Sequence, residues 1–327
     1  MKKSVSVIIP NYNGKHLLEM YLPSVITALN AADTTYELIV VDDCSKDDSV
    51  FFIKNSYPQV ILLVNEKNSG FSYTCNQGIG IAQMELTLLL NSDVQLTPAY
   101  FADQWAYFEM KDTFGVMGRI MSKDGQRIED AARLLVFKGC RIKANHFYYI
   151  DEPHAQVYTT YLSGANALVD TRKLKELAGF DEIFSPFTYE DYDLCIRAWL
   201  LGWKCYYEHN SVCYHQVSGS IRTQLKSNFI KTVYFRNRFI FHHIHLTGLR
   251  ASLWPMYLLI FELLPKLLLG KTWIFKSYTD YKKASTAIKS SQTKLHLLKQ
   301  VHQSKFNISS IIHIIKASLQ EKGVTRI

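Results

Sequence analysis

The densest chemistry in the sequence lies in "FSPFTYEDYDLCIRAWLLGWK", residues 184–204. Glu190, Asp191 and Asp193 fall there within four positions, ahead of an apolar run that ends at Gly202. On a helix advancing about 100° per residue, Asp191 points roughly 160° away from Asp193, and Glu190 lies on the Asp193 side. The three cannot converge on one site. The expected division has Asp191 facing a cleft, with Glu190 or Asp193 bound to backbone N–H groups or neighbouring side chains at the helix start. A purely electrostatic reading also fits, in which acidic residues complement the positive end of the helix dipole at about 0.3–1 kcal/mol each. The aromatic "FTY" before the cluster and the turn-rich "GFDEIFSP" ahead of it weigh against a merely solvated face.

The elements that must position these groups begin with short β-branched runs alternating with helical patterns. "VSVIIP" (5–10), "ELIVVDD" (37–43), "VILLVN" (60–65) and "ELTLLLNSD" (85–93) read as strands. The intervening segments 15–30, 46–56 and 71–83 are long enough for crossover helices, which predicts a parallel sheet buried on both faces. Ligands of such sheets sit outside the carboxyl ends of the strands, which here supply Pro10, Asn11, Tyr12, Asp42, Asp43, Asn91 and Asp93. "PNYNGK" after the first strand lacks the glycines of a dinucleotide turn, so a phosphate bound here is expected to need a metal ion. From about 115 to 170 the pattern is less regular and reads as a mixed, partly antiparallel second half. Beyond residue 222 it returns to helix.

With 327 residues and 48% apolar content the chain can fill a sizeable core. Its six cysteines form no CxxC pair, and the apolar run near the start is too short for a signal peptide, so free thiols, no zinc and a cytoplasmic location are expected. Charge is divided unevenly. Residues 1–215 hold 19 Lys+Arg against 26 Asp+Glu, whereas residues 216–327 hold 18 against 3. A basic tail of this kind suits phosphate on nucleic acid or a membrane surface, and no nucleic-acid motif accompanies it.

Six ordered pieces between Val5 and about His215 together resemble the inverting family-2 glycosyltransferases of GT-A fold: "VSVIIPNYNG", "ELIVVDDCSKDDS", "NSGFSYTCNQGI", "LLLNSDV", "SGANALVDTRKLKELAGFDEIFSPFTYEDYDLCIRAWLLGW" and "VCYHQVSGS". The resemblance implies an α/β GT-A fold, a Rossmann-like sheet with a mixed second half and a C-terminal helical basic tail. It divides the chain into a catalytic domain, 1–220, with a nucleotide-sugar half of about 1–112 and an acceptor half of about 113–220, and a helical region, 221–327. The implied activity moves a sugar from a nucleotide-diphosphate donor to a hydroxyl of a glycan or lipid-linked acceptor, as in bacterial rhamnosyl- and galactosyltransferases of surface polysaccharide synthesis.

By matching positions, Asp191 resembles the general base, with Glu190 and Asp193 in support. Asn91-Ser92-Asp93 is similar to the family's Asp-x-Asp metal motif without its first carboxylate, which leaves Asp93 and His215 as ligands of Mg²⁺ or Mn²⁺. His215, at the end of "NSVCYH", fits a structural role equally well. Asp42 resembles the residue that reads the nucleobase, with Pro10 and Tyr12 as the wall beside it; Asp42-Asp43 as a strand-end turn and helix cap is the other reading. Asn68, Gly70 and Asn76 match a loop and helix start along the nucleotide, although Asn68 also suits a simple turn. Cys75 stands where many relatives carry Arg or Asn, which puts donor contacts from that helix in question.

Outside the strongest part of the resemblance, "LWPMYLLIFELL" (253–264) is too short to span a bilayer, and Glu262, Pro265 and Lys266 interrupt the longer apolar stretch. Phe, Tyr, Trp, Arg and Lys interleaved over 229–276 suit helices lying on an anionic membrane surface, or core helices with solvated basic edges. A noncatalytic nucleotide-sugar or lipid-binding adaptor on the same fold is the rival reading, favoured by the missing metal carboxylate.

Overall fold

The computed structural model describes residues 2–152, 155–216, 227–320 and 322–327. The loop "QVSGS" after His215 and the boundary expected at 220 lie largely outside them. The chain opens with β1 (Val5–Asn11), α1 (Lys15–Ala32), β2 (Tyr36–Asp42), α2 (Ser49–Ser56), β3 (Ile61–Val64), α3 (Phe71–Ile81) and β4 (Leu86–Leu90). β1 pairs in parallel with β2 and β4, and β2 with β3. The period of two sorts each strand into two layers. Val5, Val7 and Ile9 join Leu38, Val40 and Leu88 in a core under Leu18, Leu22 and Val25 of α1. Ile8, Ile39, Val41 and Leu89 face the opposite core, with Cys75 and Ile79 of α3. Continuous apolar runs are therefore what a sheet covered on both sides requires.

The second half extends the same sheet. β11 (Asn166–Asp170) runs antiparallel to β4 and to β6 (Thr113–Ser122), and β12 (Lys204–His215) runs parallel to β6. Among the described residues the sheet has ten strands, with β10 (Val157–Tyr158) at the edge beside β12, and β5 (Val94–Leu96) and β7 (Ile128–Asp130) pairing onto β12 and β6. A separate hairpin of β8 (Ala132–Lys138) and β9 (Arg141–Tyr149) stands over the acid cluster's side of the molecule and is joined by the short β13 (Thr325–Arg326). The "RIKANHFYY" of β9 lacks the clean alternation that marks a strand in sequence.

After α4 (Thr171–Glu176), α5 (Glu190–Leu200) carries the acid cluster, and α6 (Ser227–His245) packs beside it. Phe239, Ile240 and Phe241 of α6 share one buried cluster with Leu194 and Trp199 of α5. Further helices span Gly248–Leu268, Trp273–Lys283, Ser285–Val301 and Ile308–Ser318. The first of these corrects an expectation. It continues through Pro265 because residues 258–263 form a π-helical turn and Pro265 starts the next α-helical segment, where its missing N–H costs little. The result is one helix, among the described residues, long and apolar enough to cross a membrane.

Candidate active site

The strand ends converge as expected of a parallel sheet. Asn11 and Asp42 are register partners, and Asn11 Nδ2 donates to Asp42 Oδ2 at 2.8 Å. Asp42 also accepts from the Ser45 amide at 2.8 Å, and both side chains are buried. Pro10 is half-buried and Tyr12 exposed beside them. Asp43 does more than cap: its carboxylate accepts from Asn65 Nδ2 and from the Ser69 and Gly70 amides, fixing the loop that leads into α3. Asn68 is exposed on that loop. Asn76 is engaged elsewhere, pairing both its amide atoms with the Phe180 backbone at 2.9 Å and donating to Glu182.

A cavity of about 800 Å³ opens next to these strand ends. Asn91 and His215 line it, as do Glu190 and Asp191. Pairing of β5 with β12 sets His215 opposite Val94, and the Gln216 amide donates to the Asp93 carbonyl at 3.0 Å. This brings His215 Nε2 to 3.5 Å from Asp93 Oδ1, while Nδ1 lies 2.9 Å from Glu129 Oε2. Burial works against the charged imidazole, yet Asp93 and Glu129 raise its pKa to about 9. Glu129 was not singled out from the sequence; only the fold brings β7 to His215.

The helix start divides the three acids, though not as a capping arrangement. Asp191 is half-buried at the cavity wall, with Oδ1 accepting from the Tyr192 amide at 2.8 Å. Asp193 points into the core, where Oδ2 accepts from Arg197 Nε at 2.7 Å and Oδ1 lies 2.8 Å from His245 Nε2 on α6. Burial alone would raise its pKa, but Arg197 and His245 hold it below the ordinary Asp value. Glu190 is buried, and its Oε2 has no hydrogen-bond partner among the described residues. Burial and the neighbouring Asp191 charge push the Glu190 carboxyl upward. The Asp191 pKa is also raised by burial, against the pull of the Tyr192 amide and Arg133. Desolvation outweighs those favourable interactions at Asp191.

A cluster that sequence reasoning missed sits beside Asp191. Arg133 forks onto Asp130 (3.1 and 2.9 Å), donates to the Tyr192 hydroxyl at 2.7 Å, and lies over the Phe147 and Tyr161 rings at 4.3 and 4.4 Å. Tyr161 stacks on Tyr192 at 4.5 Å and donates to Asp130. The only linear trace of this is Asp130-x-x-Arg133. The rest comes from three separate elements.

This donor set tests the expected metal. Asp93 supplies a carboxylate oxygen and His215 an imidazole nitrogen whose opposite nitrogen is oriented by Glu129, the usual support of a metal-bound histidine. Among the described residues no three His, Cys, Asp or Glu side chains form a metal-holding group, so the residues fit a hard cation only with oxygen ligands from a bound diphosphate and water.

A mostly parallel, doubly covered sheet with polar strand ends, an acidic helix start and a partly antiparallel extension defines a GT-A fold. The chain belongs to glycosyl transferase family 2, whose sequence model matches residues 6–178. A second model, glycosyl transferase family group 2, matches residues 144–276. The chain is 25% identical over 217 residues to the amylovoran biosynthesis glycosyltransferase AmsB of Erwinia amylovora, covering 62% of this chain and 65% of AmsB. It is 32% identical over 98 residues to an undecaprenyl-phosphate 4-deoxy-4-formamido-L-arabinose transferase of Proteus mirabilis, covering 29% of this chain and 30% of that protein. The matched stretches thus span less than two thirds of these relatives' own lengths. Among solved structures the fold is similar to GalNAc-T7 with UDP, GalNAc and Mn²⁺ (TM-score 0.61, 14% identity, 98% of this chain and 56% of that one). It is also similar to Staphylococcus aureus TarS 1-349 in complex with UDP-GlcNAc (TM-score 0.55, 16% identity, 92% and 90%).

Proposed function

We propose that this chain is an inverting glycosyltransferase, moving a hexosyl or deoxyhexosyl group from a nucleotide-diphosphate donor to an acceptor hydroxyl in the synthesis of a surface polysaccharide or glycolipid. The observation that carries the proposal is that one cavity is lined by Asp191 on one element and by Asn91 and His215 at the strand ends. In a single displacement the acceptor oxygen bonds to the anomeric carbon as the bond to the diphosphate breaks. Asp191 takes the acceptor proton. Asp191 accepts from the Tyr192 amide and feels the Arg133 charge, whereas Glu190 Oε2 has no partner among the described residues, so the surroundings favour the negative charge on Asp191. Arg133, fixed by Asp130, keeps a positive charge near that carboxylate.

On the donor side the proposal assigns Pro10, Tyr12 and Asp42 to the nucleobase, and Asn68, Gly70 and Asn91 to the nucleotide's path. Asn76, engaged with Phe180 and Glu182, anchors α3 rather than the donor. Mg²⁺ or Mn²⁺ would be held by Asp93 and His215 and would offset charge on the departing diphosphate. The Mn²⁺ in the GalNAc-T7 structure, and in that of the Pyrobaculum calidifontis mannosyltransferase PcManGT with GDP-Man, supports this choice. Family membership and the relatives AmsB and the undecaprenyl-phosphate transferase support the polysaccharide or lipid-linked setting. The working place proposed is the cytoplasmic face of the cell membrane, where basic helices meet anionic lipid.

The test is a panel of nucleotide sugars with and without Mn²⁺, read as slow release of nucleoside diphosphate in water. Metal-dependent release from one donor is expected. Tight binding with no turnover across the panel would instead make the chain an adaptor.

A further inference from the structure

We infer that the acceptor is an acidic sugar, its ring carboxylate held by Arg141, Lys143 and Arg238 while one of its hydroxyls faces Asp191; this rests on the glycosyltransferase reading and narrows it to a class of acceptor.

Asp191 shares its cavity with a cationic wall built from β9 and α6, away from the strand ends assigned to the donor. Arg238 of α6 is only 7% exposed. It bonds Glu262, and its Nε has no hydrogen-bond partner among the described residues. Glu262 is shared further, with Arg141 at 3.4 Å and Lys266 at 2.8 Å. One buried carboxylate therefore serves three cations, and Lys143 adds a fourth positive charge, its pKa lowered chiefly by Arg141. Arg133, in the same cavity, is already matched by Asp130. A neutral acceptor leaves the surplus uncompensated, whereas an anionic group accepting from these donors removes it through charge-assisted hydrogen bonds.

The neighbouring wall suits a sugar ring. Tyr189, Tyr234 and Phe241 line the cavity, with the Tyr189 ring 5.6 and 5.3 Å from the other two. Aromatic surfaces of this kind pack against the apolar face of a pyranose and leave its hydroxyls at the rim for polar partners. Two such partners are at hand: Thr188 Oγ1 and Glu190 Oε2 are buried, lack a hydrogen bond among the described residues, and belong to residues that line the cavity. Asn237 of α6 fixes this segment by donating to the Phe187 and Thr188 carbonyls at 2.9 Å. Cations, rings and hydroxyl partners thus surround the same cavity as the base. A carboxylate borne on the sugar ring keeps the charge and the reacting hydroxyl in one rigid unit, whereas a phosphate ester puts a flexible link between them.

The experiment measures binding of hexuronic-acid oligosaccharides to the full chain, each beside its methyl ester, which removes the charge and keeps the hydroxyls. Galacturonate, glucuronate and mannuronate oligomers and a hexose 6-phosphate make up the panel, and the same preparation is assayed for transfer to each from nucleotide sugars. At least one uronate is expected to serve as acceptor and to bind about tenfold more tightly than its ester, the effect of one charge-assisted hydrogen bond. The double variant Arg141→Gln/Lys143→Gln is expected to bring that acid and its ester to within about twofold. Esters that bind as tightly as the acids across the panel, or transfer to neutral sugars alone, would overturn the acidic acceptor. A hexose 6-phosphate that outbinds every uronate would overturn the carboxylate. An undiminished preference for the acid in the double variant, at an unchanged melting temperature, would overturn its placement on Arg141 and Lys143; the acid and ester comparison on the parent chain stands even where that variant does not fold. Selective uronate binding without any nucleotide-sugar turnover would uphold the subsite and fault the glycosyltransferase reading instead.

Discussion

The Asp193 carboxylate lies 2.8 Å from His245 Nε2, tying the first turn of α5 to the last turn of α6 across 52 residues of sequence. Arg197 closes the other oxygen at 2.7 Å and donates onward to the Leu177 and Gly179 carbonyls. The acid two residues from the candidate base is thus a tie between elements, and the position of Asp191 depends on helices beyond the family's most characteristic segments.

Replacing Asp193 by Asn should therefore act first on stability. It leaves Arg197 buried without its counter-charge and weakens the group that faces His245 Nε2, a loss of about 3–5 kcal/mol. A large drop in thermal or denaturant midpoint is the expected result, with donor affinity falling only in proportion to the unfolded fraction. The native Asp193 pKa is depressed, so its stabilisation is present above the ordinary Asp range and is lost as pH falls through the lower, folded-state value.

Transfer should lose rate on the acid side earlier than an ordinary aspartate would dictate. Protonating Asp191 removes the base, and burial raises its pKa from the ordinary value of 3.8. A pH profile of kcat/KM should show its acid limb clearly above about pH 4. A limb at or below that value would contradict the desolvation of the carboxylate at the cavity wall.

Glu190 offers a contrasting stability signature. Its raised folded-state pKa makes a favourable contribution that is full below the unfolded Glu value and is lost as pH rises through the folded value. Glu190→Gln keeps the shape of the neutral acid and cannot ionise. Its melting temperature should match the parent near pH 4 and exceed it at pH 8 by at least about 2 °C. The same melting difference at both pH values would show that Glu190 is not held neutral.

Gly70 tests the approach of the loop before α3 to the acid cluster. Its φ of +86° favours glycine, and an added Cβ would meet Pro186 Cα at 2.8 Å. Gly70→Ala should destabilise the protein by roughly 1–3 kcal/mol. Because residues 187–189 line the cavity immediately after Pro186, kcat/KM should also fall in the folded enzyme.

Much of this architecture is legible in the sequence because its signals are local. The apolar runs 5–10, 37–43 and 85–93 hold strands buried on both faces, whereas the run 60–65 holds the edge strand β3, which leaves Ile61 and Val64 exposed; the helical phase of "EDYD" alone separates Asp191 from Asp193. The missed groups depend on contacts between distant elements. Glu129 meets His215 across 86 positions, and Arg133 meets Tyr192 across 59. No periodicity reports such pairs. The apolar helix was misread for a different reason: Pro265 and Glu262 look like interruptions in one dimension. In three, a π turn absorbs the proline, and Arg238, Arg141 and Lys266 neutralise the glutamate.

The central claim is that Asp191 accepts the acceptor's proton, and the most direct measurement is sugar transfer by Asp191→Asn alongside its affinity for the nucleotide donor. Asn keeps the size and the hydrogen bond to the Tyr192 amide but cannot serve as base. The account predicts a fall in kcat of about 10²–10⁴-fold with donor affinity within about twofold of the parent. Turnover at the parental rate, with folding and donor binding intact, would contradict it.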